Sequence, residues 1–325
     1  MQAYQRTGYG GTEVLQIAKL SQPIAQADEV LIKILSSSIN PADWRLMRGE
    51  PWLLRMSTGL FKPQQAFLGA DAVGIIESVG SEVTQWQKGQ RIVTDLTETK
   101  WGAFAEYALV SEKHLVALPD HLSNQQAAGL PLAGITALQA LRDWGHIQPE
   151  DRVLINGASG GVGTYAIQIA KIYGAHVTAV CSSQNINLVQ SLGADETIDY
   201  QEQDISHQDN RYDLICDLVG NIPIKQNLQL MTPRARALLI GFTSLSFMLR
   251  WMMQGTWAKL KTGQSFISKA AQMNTEDLAT LVQWSSEGKL QTIIDRQLSF
   301  EELPLGIQYS ETGRAKGKII LDTSR

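Results

Sequence analysis

Val153-Leu154-Ile155-Asn156-Gly157-Ala158-Ser159-Gly160-Gly161-Val162-Gly163 is the stretch that decides the fold. Val153 to Asn156 reads as a short buried strand, and it runs into a turn built largely of glycine. From Val162 to Tyr173, apolar residues recur at Val162, Ala166, Ile169, Ala170 and Tyr173, which is helical spacing. A strand that feeds a helix through such a turn leaves backbone N–H groups pointing outward. With the helix dipole, they can hold a pyrophosphate. The spacing is G-x-x-G-x-x-G, and the commoner G-x-G-x-x-G form would need glycine at Ala158. Ser159, Gly160, Gly161 and Val162 are therefore the expected phosphate contacts, with Gly163 letting the helix pack closely on its strand.

Outward from this turn, strands and helices alternate. His176–Cys181, Glu196–Asp199, Leu214–Asp217 and Ala237–Ile240 read as further short strands with helical stretches between them. That interval means βαβ units and a parallel sheet covered on both faces. In NAD sites of this kind, an acidic residue about 20 positions after the turn binds the ribose 2′-hydroxyl. Here the stretch is Val180-Cys181-Ser182-Ser183-Gln184-Asn185, which holds no carboxylate. Ser182 and Ser183 are expected to donate to a 2′-phosphate, so NADPH is favoured over NADH. No Arg or Lys accompanies them, and capping of the next helix is a compatible use of both serines.

On the N-terminal side the texture differs. Val30–Leu35, Ala72–Val79 and Arg91–Asp95 are short strand-like runs, punctuated by Gly80, Gly89 and Gly102. They read as a β-rich, barrel-like domain. Thr275-Glu276-Asp277 opens a helix to about Glu287, and the tail through Gly317–Leu321 returns to the first texture. The expected division is residues 1–122, then 123–268, then 269–325 back to the first domain.

Of 325 residues, 28 are Lys or Arg and 32 are Asp or Glu, a net charge of −4 without the basic tract that nucleic-acid binding needs. Two cysteines, Cys181 and Cys216, exclude a disulfide scaffold and a Cys-rich zinc site. The N-terminal residues lack a secretory apolar core, so a cytoplasmic location is expected. The segment Phe242–Leu260 is the nearest to a membrane span, but Arg250, Gln254, Gly255 and Lys259 interrupt it. It is expected to be a buried helix or a substrate lid, with peripheral membrane contact as the alternative.

Gly157–Gly163, Asn40-Pro41-Ala42-Asp43, Gly102-Ala103-Phe104-Ala105-Glu106-Tyr107 and Pro131-Leu132-Ala133-Gly134-Ile135-Thr136-Ala137-Leu138 occur in the order of a known family. Together they resemble the zinc-independent medium-chain dehydrogenase/reductases of the quinone oxidoreductase (zeta-crystallin) type. The texture is close to the bacterial branch named as NAD(P)-dependent alcohol dehydrogenases. The resemblance runs from Tyr4 to Leu321. It implies an α/β fold with a GroES-like substrate domain and a Rossmann domain, a homodimer, and a cofactor cleft between the domains. The implied reaction is NADPH-dependent reduction of quinones, or of the C=C bond of α,β-unsaturated carbonyl compounds.

Zinc-dependent relatives bind the metal through a Cys early in the first domain and a His in a Gly-His-Glu segment. The matching positions here are Ile39–Asp43, without cysteine, and Gly69-Ala70-Asp71, without histidine. The five histidines, at 114, 121, 146, 176 and 207, are scattered and are expected to be structural or solvent-facing. Without zinc to polarise a hydroxyl, oxidation of simple alcohols is not expected.

By the resemblance, Asn40 is the amide expected to donate to a substrate oxygen, and Thr136 lies near the nicotinamide. Leu218, Val219, Gly241, Phe242 and Lys318 are expected cofactor contacts, with a solvated basic tail as the alternative for Lys318. Trp44, Arg45 and Trp52 are expected on the substrate side. Many relatives carry a tyrosine shortly after the Asn-Pro-x-Asp segment; here Trp44 and Arg45 stand there, and no general acid is assigned. That departure leaves room for a catalytically weak NADPH-binding sensor or partner-binding protein. Reduction of small aldehydes or ketones is a further alternative.

Overall fold

The computed structural model describes residues 1–99, 101–205 and 211–323, so His207 lies outside the described residues. In chain order, the first part contains β1 (Gln2–Arg6), β2 (Leu15–Lys19), β3 (Glu29–Ile39), α1 (Pro41–Arg48) and α2 (Arg55–Thr58). It continues with β4 (Asp71–Val79), β5 (Arg91–Asp95), β6 (Tyr107–Ser111), β7 (Val116–Ala117), α3 (Asn124–Ala128) and α4 (Pro131–Gln139). The middle contains β8 (Arg152–Asn156), α5 (Gly161–Ile172), β9 (His176–Cys181), α6 (Ile186–Ser191), β10 (Glu196–Asp199) and β11 (Tyr212–Asp217). Then come α7 (Ile224–Leu230), β12 (Met231–Leu239), α8 (Leu245–Thr262) and β13 (Ser265–Ile267). The chain closes with α9 (Thr275–Ser286), β14 (Ile294–Ser299), α10 (Leu303–Glu311) and β15 (Lys318–Asp322).

Two compact units result: residues 1–135 with 273–325, and residues 136–272. The first boundary falls after Ile135 rather than at 122. The reason is that α3, expected in the Rossmann part, packs on β3 and β4. Unit one holds a seven-stranded sheet in the order β14-β15-β3-β4-β5-β7, with β6 also on β3. The tail does return to the first domain: β15 pairs antiparallel with the end of β3, Ile319 opposite Ile39 and Asp322 opposite Ser36. Val30, Ile32, Ile34, Ala72, Ile76, Ile92 and Leu96 form one buried core of this unit. A second core joins Met47, Phe104, Leu303, Ile307, Ile319 and Leu321.

Unit two is a six-stranded parallel sheet in the order β10-β9-β8-β11-β12-β13. Counted within the unit this is 3-2-1-4-5-6, the dinucleotide-binding order. In sheets of this order ligands bind beyond the carboxyl ends of the strands where the winding reverses, which here is between β8 and β11. The glycine-rich turn after β8 stands at that point. Gly157 has φ +83°, a left-handed conformation that side chains rarely adopt. A Cβ on Gly163 would lie 2.3 Å from the Gly157 carbonyl oxygen and 2.6 Å from that of Ala158. This close contact is why the first turn of α5 tolerates no side chain there.

Cys181 and Cys216 end and fill sheet strands as buried free thiols. Burial pushes them up to about 11 and about 12, so neither ionises near neutrality.

Gly163→Ala is expected to destabilise the protein by about 1–3 kcal/mol, because the neighbour that must yield is backbone. Urea unfolding followed by far-ultraviolet circular dichroism measures the loss.

Candidate active site

The cofactor-side residues of unit two gather at the carboxyl ends of its strands. α5 begins at Gly161, and Gly160, its N-cap, offers no side chain to the first-turn amides. Ser159 precedes them, and the buried Asn185 side chain donates to Ser159 Oγ at 2.9 Å and to Ser182 Oγ at 3.3 Å. One amide thus links the phosphate turn to the end of β9. Both serine oxygens accept, which leaves each hydroxyl proton for a further acceptor. Asn185 Oδ1 is buried with no hydrogen-bond partner among the described residues, a polar atom that a ligand donor would satisfy. Asn185 was legible in the sequence only as a neutral residue after two serines; its role depends on the turn and the strand end coming together.

Ser183 requires a correction. Its hydroxyl donates to Asp199 at the end of β10, so its one proton is not available to a 2′-phosphate. The stretch 180–185 does lack a carboxylate, but the neighbouring strand brings one beside it. The Asp199 carboxylate also accepts from Gln201 N at 2.9 Å and is buried.

Leu218 and Val219 follow β11, and Gly241 and Phe242 follow β12. The structure brings these two turns together: a Cβ on Gly241 would sit 1.9 Å from the Leu218 carbonyl oxygen. Thr243 Oγ1 donates to Gly220 O at 3.0 Å. The organiser is Asp217, which sequence reading did not single out. Its buried carboxylate accepts from the backbone N–H groups of Val219, Gly220, Asn221 and Ile222 at 2.8–3.2 Å, and from Asn156 Nδ2 at 2.7 Å. An aspartate ending a buried strand and followed by Leu-Val-Gly-Asn is the sequence signal for such a carboxylate-centred turn.

In unit one, Asn40 and Lys318 meet although they are 278 positions apart. Lys318 Nζ donates to Asn40 Oδ1 at 2.5 Å and lies 3.5 Å from Asp71 Oδ2. Asn40 Nδ2 donates to Asp71 Oδ2 at 2.9 Å and to Ser38 O at 3.4 Å. Ser38 Oγ also donates to Asp71, and Asp71 Oδ1 accepts from Leu132 N at the start of α4, 2.9 Å away. Asp43 accepts from Asn40 N at 2.7 Å and from Gly69 N at 3.0 Å. Asp95 faces Asp71 across the β4–β5 ladder.

Two expectations change here. Lys318 is neither a solvated tail residue nor a free cation for a cofactor phosphate: it is 3 % exposed and bound to Asn40 and Asp71. β15 docks on β3, and that pairing carries Lys318 inside. The Asn40 amide is likewise turned inward, both its ends engaged by buried partners, so it is not free to donate to a substrate oxygen.

Burial governs ionisation in this cluster. It raises the Asp43 carboxyl to about 7, with the Asp71 charge adding to the rise, and raises Asp95 to about 6 in the same way. It lowers Lys318, against the pull of Asp71 and Asp43. Among the described residues no group of three or more His, Cys, Asp or Glu side chains is arranged to hold a metal ion.

Trp44 and Arg45 lie on α1, with the Arg45 guanidinium 5.1 Å from the Trp44 ring centre. Trp44 packs against the core, and its indole N–H is buried with no acceptor among the described residues. Trp52 is exposed, in a short helical turn before α2. Thr136 is half-buried on α4, one turn beyond the Leu132 N–H that Asp71 receives. His121 meets Ser286 at 2.9 Å and His176 meets Glu196 at 3.3 Å. His146 sits at a left-handed turn, φ +46°, and His114 Nδ1 is buried without a partner among the described residues.

Residues 26–120 match the family model of the alcohol dehydrogenase GroES-like domain, and residues 192–321 that of the zinc-binding dehydrogenases. The chain is 34 % identical to a chloroplastic quinone oxidoreductase of Triphysaria versicolor, over 99 % of this chain and 98 % of that protein. The chain belongs to the medium-chain dehydrogenase/reductases of the quinone oxidoreductase type. Within that family it is also 31 % identical to a trans-enoyl reductase of Aspergillus terreus, over 90 % of this chain and 86 % of that one. The solved quinone oxidoreductase of Coxiella burnetii superposes with a TM-score of 0.88 at 28 % identity, covering 99 % of both chains.

The raised Asp43 carboxyl makes stability depend on pH. The folded protein holds its proton up to about pH 7, whereas an unfolded aspartate releases it near 3.8. Between those values the folded state binds more protons, so this group's contribution to stability falls as pH rises, by at most about 1.4 kcal/mol per pH unit. The stability advantage of the wild type over Asp43→Asn should therefore shrink from pH 4 towards 7 and stay constant above it. Parallel denaturant titrations of the two proteins across that range check the sign.

Proposed function

We propose that this protein is an NADPH-dependent, zinc-independent reductase of quinones or of the C=C bond of α,β-unsaturated carbonyl compounds. The observation that carries the reading is the Ser159–Asn185–Ser182 bridge at the winding reversal of the sheet. It sets two hydroxyl protons beside the uncapped first turn of α5, which suits a pyrophosphate followed by a ribose phosphate. Quinone oxidoreductases and an enoyl reductase among the relatives support the substrate class.

The first-turn amides of α5 and Ser159 would hold the pyrophosphate. Ser182 would donate to the 2′-phosphate, while Asp199 is engaged by Ser183 and Gln201 N and so is turned from it. When bound, the reduced nicotinamide supplies a hydride. The zinc-independent reading is supported by the segments that match the metal-binding ones of zinc-dependent relatives: Ile39–Asp43 holds no cysteine and Gly69-Ala70-Asp71 no histidine. The Asp71 and Asp43 oxygens are engaged by N–H and O–H donors, and the Lys318 ammonium supplies the local positive charge. This ammonium fixes which way the Asn40 amide points. The Trp44 indole N–H, without an acceptor among the described residues, is a donor on this unit that a carbonyl oxygen would satisfy.

Initial rates with 1,4-benzoquinone, 9,10-phenanthrenequinone and a 2-alkenal, each with NADPH and NADH, test the reading. Turnover favouring NADPH is expected. Ser182→Ala should lower kcat/KM for NADPH by roughly tenfold while changing NADH little, as the loss of one hydrogen bond to a charged group implies. Binding of NADPH without turnover of any acceptor would contradict the proposal.

A further inference from the structure

The sequence predicts a buried helix or a substrate lid over 242–260, with peripheral membrane contact as the alternative, and in the structure only one face of α8 is covered. Phe247, Met248, Trp251 and Ala258 pack on the sheet core, with Trp251 edge-on to Phe266 at 5.8 Å. The opposite face carries Leu249, Met253, Trp257 and Leu260, at spacings of four, four and three residues. They are 49, 64, 69 and 78 % exposed. Arg250 and Lys261 flank this apolar crest on one side and Lys259 on the other, by helical geometry at 3.6 residues per turn.

The charge around the crest decides what covers it. Arg250, Lys259 and Lys261 are the three charged residues of α8, which carries no Asp or Glu, within a chain whose net charge is −4. A two-fold contact of α8 with a second copy would set these cations against one another. An anionic lipid surface complements them. Leu, Met and Trp side chains suit the acyl boundary, and Arg and Lys stems reach back to the headgroups. No helix among the described residues is long and apolar enough to cross a membrane, so the contact is peripheral.

We propose that α8 docks this protein on anionic lipid bilayers, lying in the plane of the surface with Leu249, Met253, Trp257 and Leu260 inserted. The inference is independent of the proposed reaction and is read without activity.

The full chain should co-sediment with vesicles of phosphatidylcholine mixed with phosphatidylglycerol, weakly with phosphatidylcholine alone, and less as salt rises. Replacing Arg250, Lys259 and Lys261 by Gln should weaken binding on the order of a hundredfold. Met253→Glu with Trp257→Glu should abolish it. These positions are exposed, and an unchanged thermal transition confirms that each variant folds. Failure to bind the mixed vesicles, or binding insensitive to both sets of substitutions, would overturn the proposal. So would a Met253→Glu/Trp257→Glu protein that loses a dimer seen by analytical ultracentrifugation with the vesicle result negative. A raised KM for a water-soluble quinone without any vesicle binding would instead assign the face to substrate.

Discussion

A buried ammonium holds unit one together. Lys318 enters on β15 and meets Asn40, which caps α1, and Asp71, which opens β4. Asp71 in turn takes the Ser38 hydroxyl from β3 and the Leu132 N–H from α4. Segments from distant parts of the chain thus converge on one lysine–carboxylate contact. Such a contact is costly to desolvate, and it survives because nearly every lone pair and proton in it has a partner. Burial disfavours the charged form of Asp43 and Asp95, and the Asp71 carboxylate adds to it, which is why both titrate so high. The fixed lysine supplies the positive charge of this region, and the amide of Asn40 is held between it and Asp71.

Unit two is organised by a different set of hydrogen bonds. Two buried polar side chains beyond or at the ends of its strands each tie loops together. Asp217 gathers four backbone amides, and Asn185 ties Ser159 to Ser182. The helix N-terminus supplies donors without any side chain, and the glycines allow the turn to approach. The sheet order makes these features neighbours, because β8 lies between β9 and β11.

Local patterns were legible in the sequence, and distant pairings were not. The glycine turn after an apolar run announced β8 and α5, and strand lengths such as His176–Cys181 were readable from their apolar runs. The Ser182-Ser183 pair looked like two equivalent donors, because nothing local reveals that Asp199, sixteen positions on from Ser183, removes one of them. Asn40 and Lys318 were each readable as site residues by resemblance. That they satisfy one another is a property of the β3–β15 register, which no local pattern encodes. The change of texture near Ser123 suggested a Rossmann boundary there, but α3 packs on β3 and β4 instead, so residues up to Ile135 belong to unit one. For α8, apolar content was visible while its split into a covered and an open face was not, because most of its positions are apolar and the two faces barely differ in composition.

If the Lys318 ammonium and the Asn40 amide, and not a metal ion, organise the chemistry of unit one, the protein should work without zinc. The deciding experiment is the metal content of the purified protein together with its quinone reductase rate before and after exhaustive dialysis against a chelator. Less than stoichiometric zinc and an undiminished rate are predicted. One zinc per chain, with activity lost on chelation and restored by zinc, would show that a metal and not the lysine holds this site.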